Sequence, residues 1–390
     1  MIYADYNGSA PICGEVKDYL IKRLEDGPFS NPNAIHRMGT KVMMGMQNAR
    51  AVCAKVLGAK PSQLIFNSGS TESIATVFYS VLCGGPECKQ KSGRDIIITA
   101  CMEHSAVLNT ATYYRDNHDF TLKIVPALEN GVIDMNVLND WLNDYGDRVA
   151  LVSIMAANNE TGVVQPFREM AEACNKKGVT FFSDTTQIIG KAPFNFEESG
   201  ADFACMSGHK LGALTGTGIL IAKDPTQLKP LIIGGGQEKG LRGGTQNYIG
   251  NETLAVALTA FENKLDKMVA LEKARDKFEA KLREKFPEVV ILGKEAPRLA
   301  STTYVAYPGI HGQAVQIELE SQNIFVTTSS ACSDNSPVTS KVLRCIGVDD
   351  SVGRGVVRIS LGLCSPLEWY EEIFEALSKA YEKLAKVKSF

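Results

Sequence analysis

The chain has 390 residues, 44% hydrophobic and 22% charged, with a formal net charge of -3. That balance fits a globular protein of two domains, or of one large domain and a lobe, and argues against nucleic acid or an anionic membrane as the main partner. The opening MIYADYNGSAP lacks a basic segment followed by an apolar run, and no apolar stretch approaches the roughly 18 residues of a membrane span, so no leader or anchor is expected and the expected location is the cytoplasm.

Ten cysteines are scattered along the sequence. A disulfide scaffold is not expected in a large chain without an export signal, and no metal site is expected, because no C-x-x-C occurs and the closest pair is Cys83 and Cys88. Most of the cysteines, Cys101 and Cys205 among them, read as small, buried, reduced hydrophobes.

In chain order, QLIFN, DIIIT, VALVSIM, VTFFSD, DFACMS and GILIA are short, β-rich and nearly continuous in hydrophobicity between about residues 60 and 225. Such runs suit strands buried on both faces of a mainly parallel sheet. Helical patterns, such as Thr71–Leu82 and Phe167–Lys177, separate them, so the expected fold is a doubly wound α/β domain. A long charged amphipathic segment from about Glu252 to Phe286 breaks the rhythm. EVVIL, STTYVAY, a helical stretch Gln313–Ser321, NIFVTT, VVRIS and a helix from about Pro366 to Lys386 then read as a smaller α+β lobe.

Four loops that follow predicted strands carry chemistry, and ligands of open α/β sheets bind at that edge. In FNSGSTES, Gly69 frees the backbone and Ser70 and Thr71 open a helix, which gives either an anion site suited to phosphate or an ordinary N-cap. In FFSDTTQ, Asp184 is either a fixed charge for a protonated ring nitrogen or another cap, and Gln187 follows it. CMSGHKLGALTGTGIL places Ser207, His209 and Lys210 between a strand and a glycine-rich turn, where a lysine can form a Schiff base; the alternative is a surface lysine beside a turn. CMEHSAV sets His104 just past a strand, either to stack on an aromatic ring and move protons or as a hydrogen-bonded loop histidine. Together they supply a phosphate cradle, a carboxylate, a Schiff-base lysine and a stacking histidine, the parts of a pyridoxal 5'-phosphate site. Near the other end, TTSSACSDNSP sets Cys332 in a polar segment suited to a reactive thiol rather than a packed one.

With FSNPNAIHRMG (Asn31, Pro32, His36), SGSTES, EHSAVL, NNETGVVQP, SDTTQ, SGHK, RGGT, SSAC and VRISLG in that order, nearly the whole chain resembles the cysteine desulfurases, the NifS/IscS-like branch of the class V aminotransferases of fold type I. The resemblance implies a large domain (15–255) built on a mainly parallel seven-stranded sheet. It implies a smaller α+β domain (1–14 and 256–390) that carries the cysteine loop. Lys210 would hold pyridoxal 5'-phosphate and move the substrate α-proton, Asp184 would pair with the ring nitrogen, and Gln187 would bond the phenolic oxygen. His104 would stack on the ring and take a proton from the substrate thiol. Ser70, Thr71, Ser207 and His209 would hold the phosphate, joined by Thr245 from the second subunit of a homodimer. Asn158 and Arg358 would bind the substrate carboxylate, Arg358 with a two-pronged grip. Cys332 would attack the sulfur of L-cysteine, keep it as a persulfide and pass it to an acceptor protein, an iron–sulfur scaffold or a tRNA-thiolation enzyme.

The sequence departs from the family pattern at LGALTGTG after the lysine, at RGGT, at Thr185 and at DYNGSAP. None of these changes removes a chemical group, but they bear on substrate preference. A selenocysteine lyase, an aminotransferase of the same fold and a non-catalytic sulfur carrier are the competing readings.

Overall fold

The computed structural model describes residues 1–84, 92–328 and 339–387; Cys332 lies outside the described residues. Seven strands form the main sheet: β2 (Leu64–Asn67), β3 (Ile96–Ala100), β4 (Thr121–Val125), β5 (Val149–Ser153), β6 (Phe181–Asp184), β7 (Phe203–Ser207) and β8 (Gly218–Ala222). Their spatial order is β2-β8-β7-β6-β5-β3-β4. β3 to β7 pair in parallel, whereas β8 runs antiparallel to both β7 and β2. β2 therefore points the same way as β7, and the chain leaves β2, β3, β5, β6 and β7 at one common edge.

The apolar runs form this sheet because both faces are covered. Ile96 and Ile98 pack into one hydrophobic cluster and Ile97 into another; Phe181 and Phe182, and Met206 and Cys205, divide in the same way. The strand period of two thus sends alternate side chains into two cores. β4 escapes the sequence pattern. It is an edge strand, with only its last residue fully buried. Its Lys123 ammonium lies 4.8 Å and 4.2 Å from the rings of Trp141 and Tyr145 on the helix Met135–Tyr145, so a charged residue is held there by aromatic faces.

The amphipathic segment expected from about Glu252 to Phe286 is two helices, Tyr248–Glu262 and Met268–Lys285, parted by a short turn at Leu265–Lys267. The first is mostly buried; its Glu252 accepts from Arg23 at 2.8 Å and from the Tyr19 hydroxyl at 2.7 Å. The second packs in a separate core, where Leu271, Phe278 and Leu282 meet Val305, Ile359 and Tyr381.

That second core lies under a three-stranded antiparallel sheet, β9 (Val290–Ile291), β10 (Thr302–Ala306) and β12 (Val356–Ser360), in the order β12-β10-β9. The N-terminus joins it: β1 (Ile2–Tyr3) pairs in parallel with β11 (Ile324–Phe325), and Ile2 and Ala4 are buried in the same core. Asp5 to Ser9 then run between this lobe and the edge of the main sheet, and most of the site is assembled around them. Among the described residues no helix is long and apolar enough to cross a membrane.

Candidate active site

Ser70 opens the helix Ser70–Tyr79 after Gly69, whose φ of 145° is open to glycine. The strand behind it is close: a side chain at Gly218 would bring its first carbon within 2.5 Å of Gly69 Cα. Three hydroxyls meet at this helix start. Ser207 Oγ accepts from the Ser70 amide at 2.9 Å and donates to Ser70 Oγ at 3.0 Å, and Thr186 Oγ1 lies 2.6 Å from Ser70 Oγ. Ser70 and Ser207 are buried and Thr71 is exposed beside them. Amides and hydroxyls gathered at a helix N-terminus suit an anion with several oxygens.

Asp184 ends β6 in a buried position. Its Oδ1 accepts from the Thr186 amide at 3.0 Å, from the Thr186 hydroxyl, and from Cys205 Sγ at 3.5 Å. Thr186 thus links the carboxylate to the hydroxyl cluster.

Lys210 closes the short turn Gly208–Lys210 after β7, and its Nζ donates to the carbonyls of Asn7 (2.8 Å) and Gly8 (2.6 Å). Next to it, His209 Nδ1 lies 3.1 Å from Ser9 Oγ. Burial, and then the neighbouring Lys210 and Lys191, push the His209 imidazole down to about 4, so it is neutral at physiological pH.

His104 caps the helix Ser105–His118, its Nδ1 accepting from the Ala106 amide at 3.1 Å. Burial lowers its pKa, Asp184 opposes that shift, and Lys210 and Lys341 add to it. A neutral ring with Nδ1 engaged as acceptor carries its proton on Nε2, so towards a ligand His104 is a donor. His104 is thus a hydrogen-bonded helix cap, and the cap does not use its Nε2.

Gln187 is buried; its Nε2 donates to Asn7 O at 3.0 Å, and its Oε1 accepts from Lys191 Nζ. Arg358 on β12 is only 2% exposed. Its guanidinium donates through Nη1 to Asn159 O at 2.8 Å and through Nη2 to Asp5 Oδ1 at 2.6 Å, while its buried Nε has no hydrogen-bond partner among the described residues.

Asn158 is fully buried and engaged by its own loop. Oδ1 accepts from the amides of Glu160 (2.9 Å) and Thr161 (3.0 Å), and Nδ2 donates to Met102 O (3.2 Å) and reaches Met155 Sδ (3.5 Å). A thioether is a weak acceptor, so only one amide hydrogen is loosely held. Thr245 is exposed on the loop whose Arg242 pairs at 2.9 Å with Glu72, in the first turn of the helix that Ser70 opens. His36 caps the helix Arg37–Val56.

The segment holding Cys332 departs from and returns to this site. On one side, Thr327 O accepts from the Arg358 amide at 2.6 Å and the Tyr304 hydroxyl lies 3.1 Å from Thr328 O. On the other, the short helix Lys341–Cys345 sends Lys341 Nζ to Ser105 Oγ at 3.2 Å. Cys345 is joined to Cys101 in a disulfide with a Cα separation of 6.0 Å. This corrects the expectation that Cys101 is a buried, reduced thiol: it sits half-buried just past β3, where the helix after the Cys332 segment docks.

The sequence reading passed over Asp5, Asn7, Glu103, Thr186 and Lys191. Glu103 is wholly buried, accepting from the Met155 amide at 2.7 Å through Oε1 while Oε2 has no hydrogen-bond partner among the described residues. Thr186 and Lys191 lie two and seven residues beyond Asp184, so proximity to that motif was their only signal. Asp5 and Asn7 lie in DYNGSAP, marked only as a departure from the family pattern, because their roles depend on the N-terminus crossing between the sheets.

The sheet order defines a doubly wound α/β protein with Asp184, Lys210 and the Ser70–Ser207–Thr186 hydroxyls at the ends of its strands. The chain belongs to the family described as Aminotransferase class-V, whose family model matches residues 2–368. It is 32% identical to the cysteine desulfurase NifS of Azotobacter vinelandii, over 100% of this chain and 94% of that one. To the cysteine desulfurase IscS of Dictyoglomus turgidum it is 30% identical, over 100% of this chain and 96% of the relative. Among solved structures, a NifS-like protein superposes with a TM-score of 0.88 at 34% identity, covering 99% of this chain and 100% of that one. SspA in complex with cysteine matches with a TM-score of 0.79 at 28% identity, over 93% of this chain and 99% of its own.

Proposed function

We propose that this chain is a cysteine desulfurase that uses pyridoxal 5'-phosphate to convert L-cysteine to L-alanine and leaves the sulfur on Cys332. The observation that carries the reading is the convergence, at one sheet edge, of Lys210, the buried Asp184 and the Ser70–Ser207–Thr186 hydroxyls. That donor set fits the cofactor: hydroxyls and helix amides for a phosphate, a fixed carboxylate for a ring nitrogen, and an amine for an aldehyde. Ser70, Thr71, Ser207 and His209 would hold the phosphate, Asp184 the ring nitrogen, Gln187 the phenolic oxygen, and His104 would stack on the ring. The full-length likeness to named cysteine desulfurases, and the likeness to a protein solved with cysteine, support the substrate.

Bound there, pyridoxal 5'-phosphate supplies an electron sink that loosens the substrate α-proton and the carbon–sulfur bond. Arg358 binds the substrate carboxylate, with Asn158 as the second donor. Lys210 Nζ takes the α-proton and returns a proton to carbon. His104 presents an Nε2–H beside the substrate thiol; to take the thiol proton it must first give up that hydrogen or release its Nδ1 contact. The Cys332 thiolate attacks the substrate sulfur: a sulfur–sulfur bond forms, the carbon–sulfur bond breaks, and the three-carbon fragment is protonated to alanine. L-cysteine and a thiol thus become L-alanine and a persulfide.

The same reading places residues 15–255 in a cofactor-binding domain and 1–14 with 256–390 in the domain that carries the cysteine. It makes the protein a cytoplasmic homodimer in which Thr245 reaches the neighbouring phosphate. The sulfur passes to an acceptor protein of iron–sulfur assembly or tRNA thiolation. The test is to incubate the purified protein with L-cysteine and a reductant and to measure alanine and sulfide together. Equal amounts, lost in Cys332→Ala and in Lys210→Ala, are expected. Pyruvate with ammonia, or turnover that survives Cys332→Ala, rejects the desulfurase.

A further inference from the structure

We propose that Lys191 is a positioning residue that fixes which end of the Gln187 amide faces the cofactor. The inference rests on the reading of Gln187 as the partner of the cofactor's phenolic oxygen. A glutamine amide is symmetric in shape but not in chemistry: one end only accepts and the other only donates. An oxygen presented to a phenolate would repel it, so the flip of this side chain decides whether the contact helps or hurts.

The surroundings leave one answer. Lys191 and Gln187 are both buried, four residues apart on the turn after β6, where the amides of Ile188 and Ile189 both donate to Thr185 O. Lys191 Nζ donates to Gln187 Oε1 and to Asn7 Oδ1, the latter at 2.9 Å. Either protonation state of the amine has hydrogens for both acceptors, so Oε1 is turned towards Lys191 whether or not it is charged. Gln187 Nε2 then points the other way, and one of its two hydrogens goes to Asn7 O at 3.0 Å. The second hydrogen is the one left for a ligand.

Asn7 makes the arrangement rigid. It is 1% exposed, and its side-chain nitrogen donates to Asn159 O at 3.2 Å and Thr302 Oγ1 at 3.0 Å, which turns its Oδ1 to Lys191. Its carbonyl also accepts from Lys210 Nζ at 2.8 Å, so one residue places both Lys210 and Gln187. The turn has room because position 190 is glycine: a side chain there would bring its first carbon within 2.5 Å of Leu211 Cβ, next to Lys210. The charged and titratable groups facing Lys191 are Lys210, Arg358, Asp5 and His209.

The test reads the visible absorbance of the cofactor-loaded protein against pH for the wild type, Lys191→Met, Gln187→Leu and the double variant. A donor at the phenolic oxygen withdraws charge that otherwise holds a proton on the adjacent nitrogen, so its loss raises the midpoint. One hydrogen bond corresponds to a shift of about half a unit to one unit. Lys191→Met and Gln187→Leu should both shift upward by that amount, and the double variant should match Gln187→Leu alone, because both substitutions remove the same contact. Additive shifts, or a Lys191→Met midpoint equal to wild type while Gln187→Leu moves, overturn the inference. If Lys191→Met does not hold the fold, Lys191→Gln, polar but one bond shorter, is expected to give the same upward shift, and a wild-type midpoint in that variant overturns it. A wild-type protein with no visible band overturns the cofactor reading and this inference with it; a band that ignores Lys191 overturns the inference alone.

Discussion

On the desulfurase reading Arg358 holds the substrate carboxylate, and substituting it tests that role with an effect whose size follows from the structure. Two charge-assisted hydrogen bonds to a substrate carboxylate are worth about 1.5–3 kcal/mol each. The guanidinium is already in use, however: Nη2 donates to Asp5 Oδ1 at 2.6 Å and Nη1 to Asn159 O at 2.8 Å. A carboxylate that enters here exchanges with Asp5 for one arm of the fork. The net gain is therefore about one such bond, and Arg358→Lys, which keeps the charge and loses the fork, should lower kcat/KM for L-cysteine about 10- to 150-fold. Asp5→Asn removes the competing carboxylate and should lower KM, while reducing stability by leaving the buried guanidinium without its counter-charge. The assay is initial-rate alanine formation across L-cysteine concentrations, with thermal midpoints to verify the fold. An Arg358→Lys enzyme with wild-type KM, or an Asp5→Asn enzyme with a raised KM and an intact fold, refutes the exchange.

Burial holds the Glu103 carboxyl well above the usual carboxylate range, with Asp184 adding to the shift and the Met155 amide opposing it. The folded protein therefore keeps a proton that the unfolded chain loses, and this group costs stability as pH rises from about 4.3 towards its folded pKa. Glu103→Gln, neutral at every pH, should be more stable than wild type at pH 8, and the difference in thermal midpoint should shrink towards pH 4; a constant difference counts against a protonated Glu103. The Cys101–Cys345 pair predicts that protein denatured without reductant shows two fewer reactive thiols than the ten cysteines of the sequence, and that reduction restores them. A full count before reduction shows the pair to be open.

The main-sheet strands apart from β4 were legible because each is an apolar run buried on two faces. β4 was not, since Lys123 interrupts its pattern and is held by Trp141 and Tyr145, residues that only the folded chain brings near. Ser70, Asp184, Ser207 and Lys210 were legible because each stands at the end of a readable strand, and strand ends in such sheets share an edge. The side-chain carbonyl of Asn158 organises its own loop's backbone, a local duty that sequence order does not reveal. Asn7 was marked only as part of DYNGSAP, with no role attached to it. Its contacts to Gln187, Lys191, Lys210, Thr302 and Ser360 depend on a crossing between two sheets, and neither side of that crossing is written near residue 7.

The bond between Cys101 and Cys345 spans 244 residues of sequence and staples the helix after the Cys332 segment to the loop bearing His104. On the desulfurase reading, in an assay without an acceptor protein a reductant is what frees sulfur from the enzyme after each turnover. The same reagent acts on the staple, so this chain presents it with two sulfur–sulfur bonds: one remade in every cycle, and one that only sets how the loop's far end is moored. A titration against reductant should then separate into two phases, a rate that follows sulfur release and a slower change of state as the mooring opens. Rates gathered at a single reductant concentration would describe one thiol state of the enzyme and not the other.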